Sequence, residues 1–254
     1  MRAPSALLLL SLVALTSAGC VSSNYNGHGI VFGCDGSGAG IVLKWGPPAR
    51  AGARKAGYAG VFEAFRWQTG LGVAVDHGSS VQYKRSAARK LADRIQDHQR
   101  RHPDDPIYVA GLSAGCAVAI FALEALPAAV QVEHVFLLSS SVSAQYDLTR
   151  ALQRVRGKLY SFHSHKDGVL RNLASVVGTA DKRNVGDDIS GLRGFRPPPG
   201  ATQETVALYE AKVKNTGWRP EFARYGHRGG HTDVVATDFV ARYVGPYIVP
   251  AARR

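Results

Sequence analysis

The sequence predicts an α/β protein, a three-layer sandwich in which a mostly parallel central sheet is covered by helices on both faces. Three observations predict it. Short apolar runs alternate with longer stretches of helical periodicity along almost the whole chain, the pattern of strands buried between two helical layers. One of those runs, Ile107-Tyr108-Val109-Ala110, passes through Gly111-Leu112-Ser113-Ala114-Gly115 straight into an apolar helix over residues 116–126, which Pro127 ends. No linker or low-complexity stretch divides the 254 residues, so residues 28–254 read as one domain.

The first 19 residues read as a targeting segment outside the fold. Arg2 supplies positive charge, and residues 6–15 form an apolar run too short to span a bilayer. Thr16-Ser17-Ala18-Gly19-Cys20 follows, and small residues ending at a cysteine resemble the lipobox of bacterial lipoproteins, here with Ser17 where leucine is usual. The resemblance implies export, lipidation of Cys20 and a membrane anchor; cleavage after Ala18 would give a secreted protein instead. Residues 20–27 read as a polar tether.

The first core strand is expected over 28–33. It runs into Cys34-Asp35-Gly36-Ser37-Gly38-Ala39-Gly40, a loop that lacks the lysine and terminal hydroxyl of a phosphate-binding P-loop. Aiming backbone N–H groups at an oxyanion suits it better. Residues 41–56 are interrupted by Pro47-Pro48 and give no assigned element, a second strand is expected over 60–68, and residues 69–77 read as loop. Residues 80–101 predict an amphipathic helix: Ala87, Ala88, Leu91, Ala92 and Ile95 make the apolar stripe, while Lys84, Arg85, Arg89, Lys90 and Arg94 mostly face water. After the serine-containing turn come a strand over 132–138, a serine-rich loop at 139–143, a helix over 147–155 and a strand over 158–164. That strand opens into His165-Lys166-Asp167-Gly168 and a helix near 169–177. Residues 178–201 read as a long irregular excursion, a possible lid. A helix over 202–214, a strand over 222–225 and a last helix over 234–244 complete the chain, with Gly226-His227-Arg228-Gly229-Gly230-His231-Thr232-Asp233 between the last two.

Lysine and arginine number 31 against 19 acidic residues, a net charge of +12. Such an excess fits an anionic partner, but the basic residues are scattered and no run of them is interleaved with aromatics. That argues against nucleic acid and for an ordinary solvated surface. Cys34 and Cys116 each lie near the end of a predicted strand; an oxidising compartment lets them pair, and two buried thiols fit equally well. Their spacing is not that of a metal site. Trp45, Trp67 and Trp218 read as core residues.

The pattern G-x-S-x-G between a strand and a helix is the context of a nucleophile elbow. A serine hydroxyl needs a base within reach, and the base needs an orienting acid. Asp167, in a loop directly after a predicted strand, and His231, in the late glycine-rich loop, supply them in the order Ser, Asp, His. Elbow, post-strand aspartate and Gly-Gly-His-Thr-Asp together resemble the α/β-hydrolase superfamily over residues 28–248, with Phe32-Gly33 where that superfamily usually has His-Gly. The resemblance implies a sandwich of the α/β-hydrolase type and serine-dependent hydrolysis of a small-molecule or lipid ester, or a related acyl bond, without cofactor or metal. In it Ser113 attacks, His231 moves the proton, Asp167 fixes the histidine, and the N–H of Ala114 is one oxyanion donor. The second donor comes from the loop after the first strand, at Cys34 or Asp35. Competing bases are His227, His163, His165 and His77; competing acids are Asp147 and the pair Asp187-Asp188. Asp233 reads as the N-cap of the last helix, and Asp76-His77 as a loop pair. Two other classes of function stay open: an inactive fold of this type that binds anionic envelope material, and, less well supported, a nucleotide-binding protein using Gly36–Gly40.

Overall fold

The computed structural model describes residues 27–38, 46–183, 185–186 and 188–249. The leader expected over 1–19, the Cys20 lipidation site, the tether up to residue 26, Ala39 and Gly40 of the glycine loop, Trp45 and Asp187 lie outside the described residues.

Strands β1 (Ile30–Cys34), β2 (Val61–Phe65), β3 (Ile107–Leu112), β4 (His134–Leu138), β5 (Leu159–His163) and β6 (Val213–Gly217) form one sheet in the order β2-β1-β3-β4-β5-β6. Every pairing is parallel. Parallel strands need long crossovers, and these are supplied by α1 (Gly46–Lys55), α2 (Val73–Gly78), α3 (Val81–Arg101), α4 (Gly115–Ala125), α5 (Thr149–Leu152), α6 (Gly168–Val177), α7 (Ser190–Arg193) and α8 (Gln203–Lys212). The chain closes with α9 (Thr237–Tyr243) and α10 (Gly245–Ile248).

The period of two along each strand divides the core into two layers. Ile30, Phe32, Val109, Val135, Leu137 and Leu159 pack under α3 and α4, with Leu91, Ile95, Ile120 and Leu123. Val31, Tyr108, Phe136, Tyr160 and Phe162 face the other way, onto Ala53 of α1 and Phe239 and Val240 of α9. This is the three-layer α/β sandwich expected from the sequence, and its sheet is parallel throughout. Strand order reverses between β1 and β3, so the connections leaving those two strands pass to opposite sides of the sheet from its carboxyl edge.

Several elements differ from the sequence reading. The sixth strand is Val213–Gly217, directly after α8, whereas residues 220–225 form a 3-10 helix that Pro220 starts and left-handed Gly226 ends. Helix α1 forms despite Pro47-Pro48, because both prolines sit in its first turn, where no amide donor is needed. Residues expected to be loop hold α2. The expected helix over 147–155 is a single turn, α5, and the last helix is split into a 3-10 turn at Asp233–Val235, α9 and α10. In α3, capped by Ser80 accepting from the Tyr83 N–H, the apolar stripe is as expected, but Lys84 is fully buried with it. Cys34 and Cys116 are buried free thiols. Among the described residues no helix is long and apolar enough to cross a membrane.

Candidate active site

β3 ends at Leu112 and α4 begins at Gly115, which leaves two residues to reverse the chain. Ser113 takes the strain, with φ +53°, a left-handed conformation that costs a non-glycine residue about 1–2 kcal/mol. Its N–H is held by the Leu138 carbonyl at 3.0 Å. Both elbow glycines are required by contact. A Cβ on Gly111 would lie 2.8 Å from Cys116 Cα, and one on Gly115 would lie 2.2 Å from the Cys34 carbonyl oxygen. The serine is 4 % exposed and stands before the first turn of α4, where unpaired N–H groups favour negative charge.

The Gly115 contact also places the loop after β1 directly against the elbow. Cys34 is the last residue of β1, in register with Phe65 of β2 and Gly111 of β3, and Asp35 is the first residue beyond. The Asp35 carbonyl accepts from Trp67 Nε1 (2.7 Å) and Gln68 Nε2 (3.1 Å), and Gln68 Nε2 also reaches the Gly36 carbonyl (2.9 Å). Burial raises the Asp35 carboxyl above its ordinary range and pushes the thiols of Cys34 and Cys116 up, the latter to about 12. Neither sulfur is a nucleophile at neutral pH.

Asp167 lies just beyond β5 and is fully buried. One carboxylate oxygen accepts the Leu170 N–H at 3.0 Å, and the other contacts His231 Nδ1 at 2.7 Å. The His231 side chain is 9 % exposed. Its loop is built from Gly229 at φ +105° and from Asp233, whose Oδ2 accepts the N–H groups of Arg228 (3.0 Å) and Gly230 (2.9 Å). Asp233 therefore closes the histidine loop, where the sequence suggested a helix cap. Ser164 Oγ donates to the Gly229 carbonyl at 2.9 Å and joins the two loops.

The rival residues have other partners. His227 is buried between Phe222 and Phe239, and desolvation lowers it to about 4. His163 Nδ1 faces the Leu192 carbonyl, His165 packs on Trp218, and His77 Nε2 meets the Gly178 carbonyl at 2.9 Å. Asp147 caps the Thr149 amide, and Asp188 pairs with Arg196. A second histidine–aspartate pair, His98–Asp105 at 3.5 Å, sits before β3, at the amino edge of the sheet and so at the opposite end of that strand from Ser113.

The structure adds residues that sequence reasoning passed over. Ser139 repeats the elbow at the end of β4, with φ +44° and its N–H on the Phe162 carbonyl at 3.0 Å. The Ser141 N–H donates to the Ser113 carbonyl at 3.3 Å, while its buried hydroxyl has no partner among the described residues. Asp76, set aside as part of a loop pair, is fully buried and bonded to the loop after β1. The run of serines at 139–143 was the available signal for the first two; Asp76 offered none, since a six-residue helix shows no periodicity. Among the described residues no group of three His, Cys, Asp or Glu side chains could hold a metal ion.

No family model matches the sequence, and no curated protein matches it. Solved structures do. An acylaminoacyl peptidase from Pyrococcus horikoshii is 11 % identical over 85 % of this chain and 35 % of its own, with a TM-score of 0.45; the chain spans about a third of its length. The ydeN gene product of B. subtilis is 13 % identical over 86 % of this chain and 98 % of its own (TM-score 0.48), and an esterase from Pyrococcus furiosus is 13 % identical over 87 % and 82 % (TM-score 0.48). At such identities a likeness concerns the arrangement of the backbone. The chain's own strand order, parallel crossovers and serine elbow make its architecture a sandwich of the α/β-hydrolase type.

Proposed function

We propose that the protein is a serine hydrolase that cleaves an ester or related acyl bond with Ser113, His231 and Asp167 and without a cofactor. The observation that carries this reading is the 2.7 Å contact between buried Asp167 and His231 Nδ1, on loops at the same sheet edge as the strained serine. Ser113 Oγ attacks the acyl carbon as His231 Nε2 takes its proton. The histidine returns that proton to the leaving alcohol, and an acyl-enzyme remains. Water, deprotonated by the same nitrogen, then releases the acid and restores the serine. Asp167 holds the Nδ1–H tautomer and stabilises the imidazolium. The oxyanion is met by the Ala114 N–H and by an N–H of the Cys34–Asp35 segment, and removing one such donor typically costs on the order of 10²–10³ in rate.

The substrate is a small-molecule or lipid ester. We place the enzyme in the cell envelope, lipid-anchored through Cys20, because Arg2, the apolar run and the cysteine form an export signal. The mass of the mature N-terminal peptide tests that part. The chemistry is tested by treating the folded protein with a fluorophosphonate and mapping the adduct by peptide mass spectrometry. Modification at Ser113, abolished in His231→Ala, is expected. Folded protein that takes no label would sink the reading.

A further inference from the structure

The described residues of the loop after β1 are bonded to the elements around them. Gly36 and Gly38 free its backbone, and Gly38 holds φ +73° so close to α2 that a Cβ there would lie 2.5 Å from Val73 Cγ2. Three attachments fix the loop: Gly115 against Cys34 and Asp35, Trp67 and Gln68 on the carbonyls of Asp35 and Gly36, and the carboxylate of Asp76. Asp76 Oδ2 accepts the Gly38 N–H at 2.8 Å; Oδ1 accepts the Thr69 N–H at 2.7 Å and its hydroxyl at 2.6 Å. One fully buried carboxylate thus ties the loop after β1 to the loop after β2.

The helix that carries Asp76 is itself anchored by a charge. Lys84 Nζ, also fully buried, donates to the carbonyls of His77 (3.0 Å) and Ser79 (2.7 Å) at the end of α2. His77 meets the Gly178 carbonyl at 2.9 Å. A charge is held in a protein interior only when bonded and compensated, so both ends of this arrangement resist displacement.

We propose that Asp76 is a positioning residue for the oxyanion site: its carboxylate fixes the loop after β1 where that loop's N–H group faces the acyl oxygen at Ser113. This rests on the hydrolase reading above. An oxyanion donor works only within about 2.7–3.1 Å of the developing charge, and a displacement of about 1 Å costs on the order of 10² in rate. Asp76 is five bonded positions or fewer from any candidate donor through Gly38, Ser37 and Gly36, so a loop released at Gly38 loses that placement without losing substrate contacts elsewhere.

The test compares the full-length wild type with Asp76→Asn on a p-nitrophenyl ester. It also follows their rates of inactivation by a fluorophosphonate and their thermal unfolding. The carboxamide keeps the shape; its oxygen stays on the side where Thr69 offers two donors and its NH₂ faces the Gly38 N–H, so the attachment to the loop is the one lost. The expected result is a kcat lower by on the order of 10², an unchanged KM, and phosphonate inactivation slowed in parallel with kcat/KM. Two further variants separate positioning from folding and serve if Asp76→Asn does not fold. Gly38→Ala strikes the loop end and should lose kcat as Asp76→Asn does; Thr69→Val strikes the other end and should keep kcat within about threefold. A kcat at the wild-type level in Asp76→Asn, or equal losses in Gly38→Ala and Thr69→Val, would overturn the proposal. Wild-type protein that takes no label removes the hydrolase reading instead. Wild type and Asp76→Asn that label at one rate remove this inference alone.

Discussion

At the scale of the residue, the site is a set of local costs accepted for placement. Ser113 at φ +53° is held by the Leu138 carbonyl and by the two glycines, whose side chains would strike backbone. Removing the strain should therefore stabilise the protein while abolishing its chemistry. In Ser113→Gly the left-handed penalty of about 1–2 kcal/mol disappears, and glycine's greater freedom in the unfolded chain takes back about 0.5–1 kcal/mol. Ser113→Ala loses the hydroxyl and keeps the strain. Urea unfolding should find Ser113→Gly the more stable of the two by up to about 1.5 kcal/mol; the reverse order would mean that the turn is unstrained. Asp167 gives a second prediction. Asp167→Asn preserves volume but presents a donor to His231 Nδ1 and favours the wrong tautomer, so kcat should fall by on the order of 10⁴ while Tm changes little. A loss of less than about tenfold, measured on any ester the wild type hydrolyses, would remove Asp167 from the mechanism.

At the scale of the element, what the sequence disclosed depended on burial. β3, β4 and β5 are apolar runs flanked on both sides by other strands, and α4 is buried on every face, so composition alone locates them. β6 is an edge strand reading Val-Lys-Asn-Thr-Gly, with no residue fully buried; it pairs through its backbone, which composition does not display, and the helix expected over 202–214 overlaps only its first two residues. The candidate acid and base were legible because strand-end loops converge in a parallel sheet. The attachments of α2 were not, because they depend on which atoms meet across long sequence separations: Gly38 with Asp76, His77 with Gly178. Lys84 shows the same limit, a lysine at a helical position that charge assigns to water and packing assigns to the core. It has a measurable consequence. Burial lowers the Lys84 ammonium from 10.5 to about 8, with Lys182 adding to the shift and Asp181 and Asp76 opposing it. Below pH 8 the lysine is charged in both the folded and the unfolded chain, and the cost of burying the charge is fully present. Between pH 8 and 10.5 the unfolded chain binds the extra proton, so stability gains a rising contribution with pH. Lys84→Met should lose that contribution and, by leaving the His77 and Ser79 carbonyls without their donor, be less stable at pH 7 by about 1–3 kcal/mol. Denaturant unfolding of both proteins from pH 7 to 10 checks both statements, and identical slopes against pH would refute the first.

At the scale of the whole molecule, two core layers joined through one sheet set the stability, and net charge works against it. The excess of 31 basic over 19 acidic residues leaves twelve positive charges without an acidic counterpart, whatever pairs form. The surface pairs that do form, such as Lys55–Asp238 and Arg219–Glu221, join exposed side chains and are worth about 0–1 kcal/mol each. Salt weakens them, but it also screens the repulsion among the unmatched cations, which is longer in range and more numerous in its terms. The screening length shortens from about 30 Å at 0.01 M to about 10 Å at 0.1 M, from more than the separation of neighbouring surface charges to near it. Sodium chloride over that interval should therefore raise Tm, by roughly 2–4 °C for each kcal/mol of repulsion relieved in a chain of this size. Sulfate would stabilise any protein by exclusion from its surface, so chloride is the informative salt. A Tm that falls as chloride is added would show that the acidic residues are placed in pairs strong enough to outweigh the excess. The basic surface would then be a balanced array rather than a field of one sign.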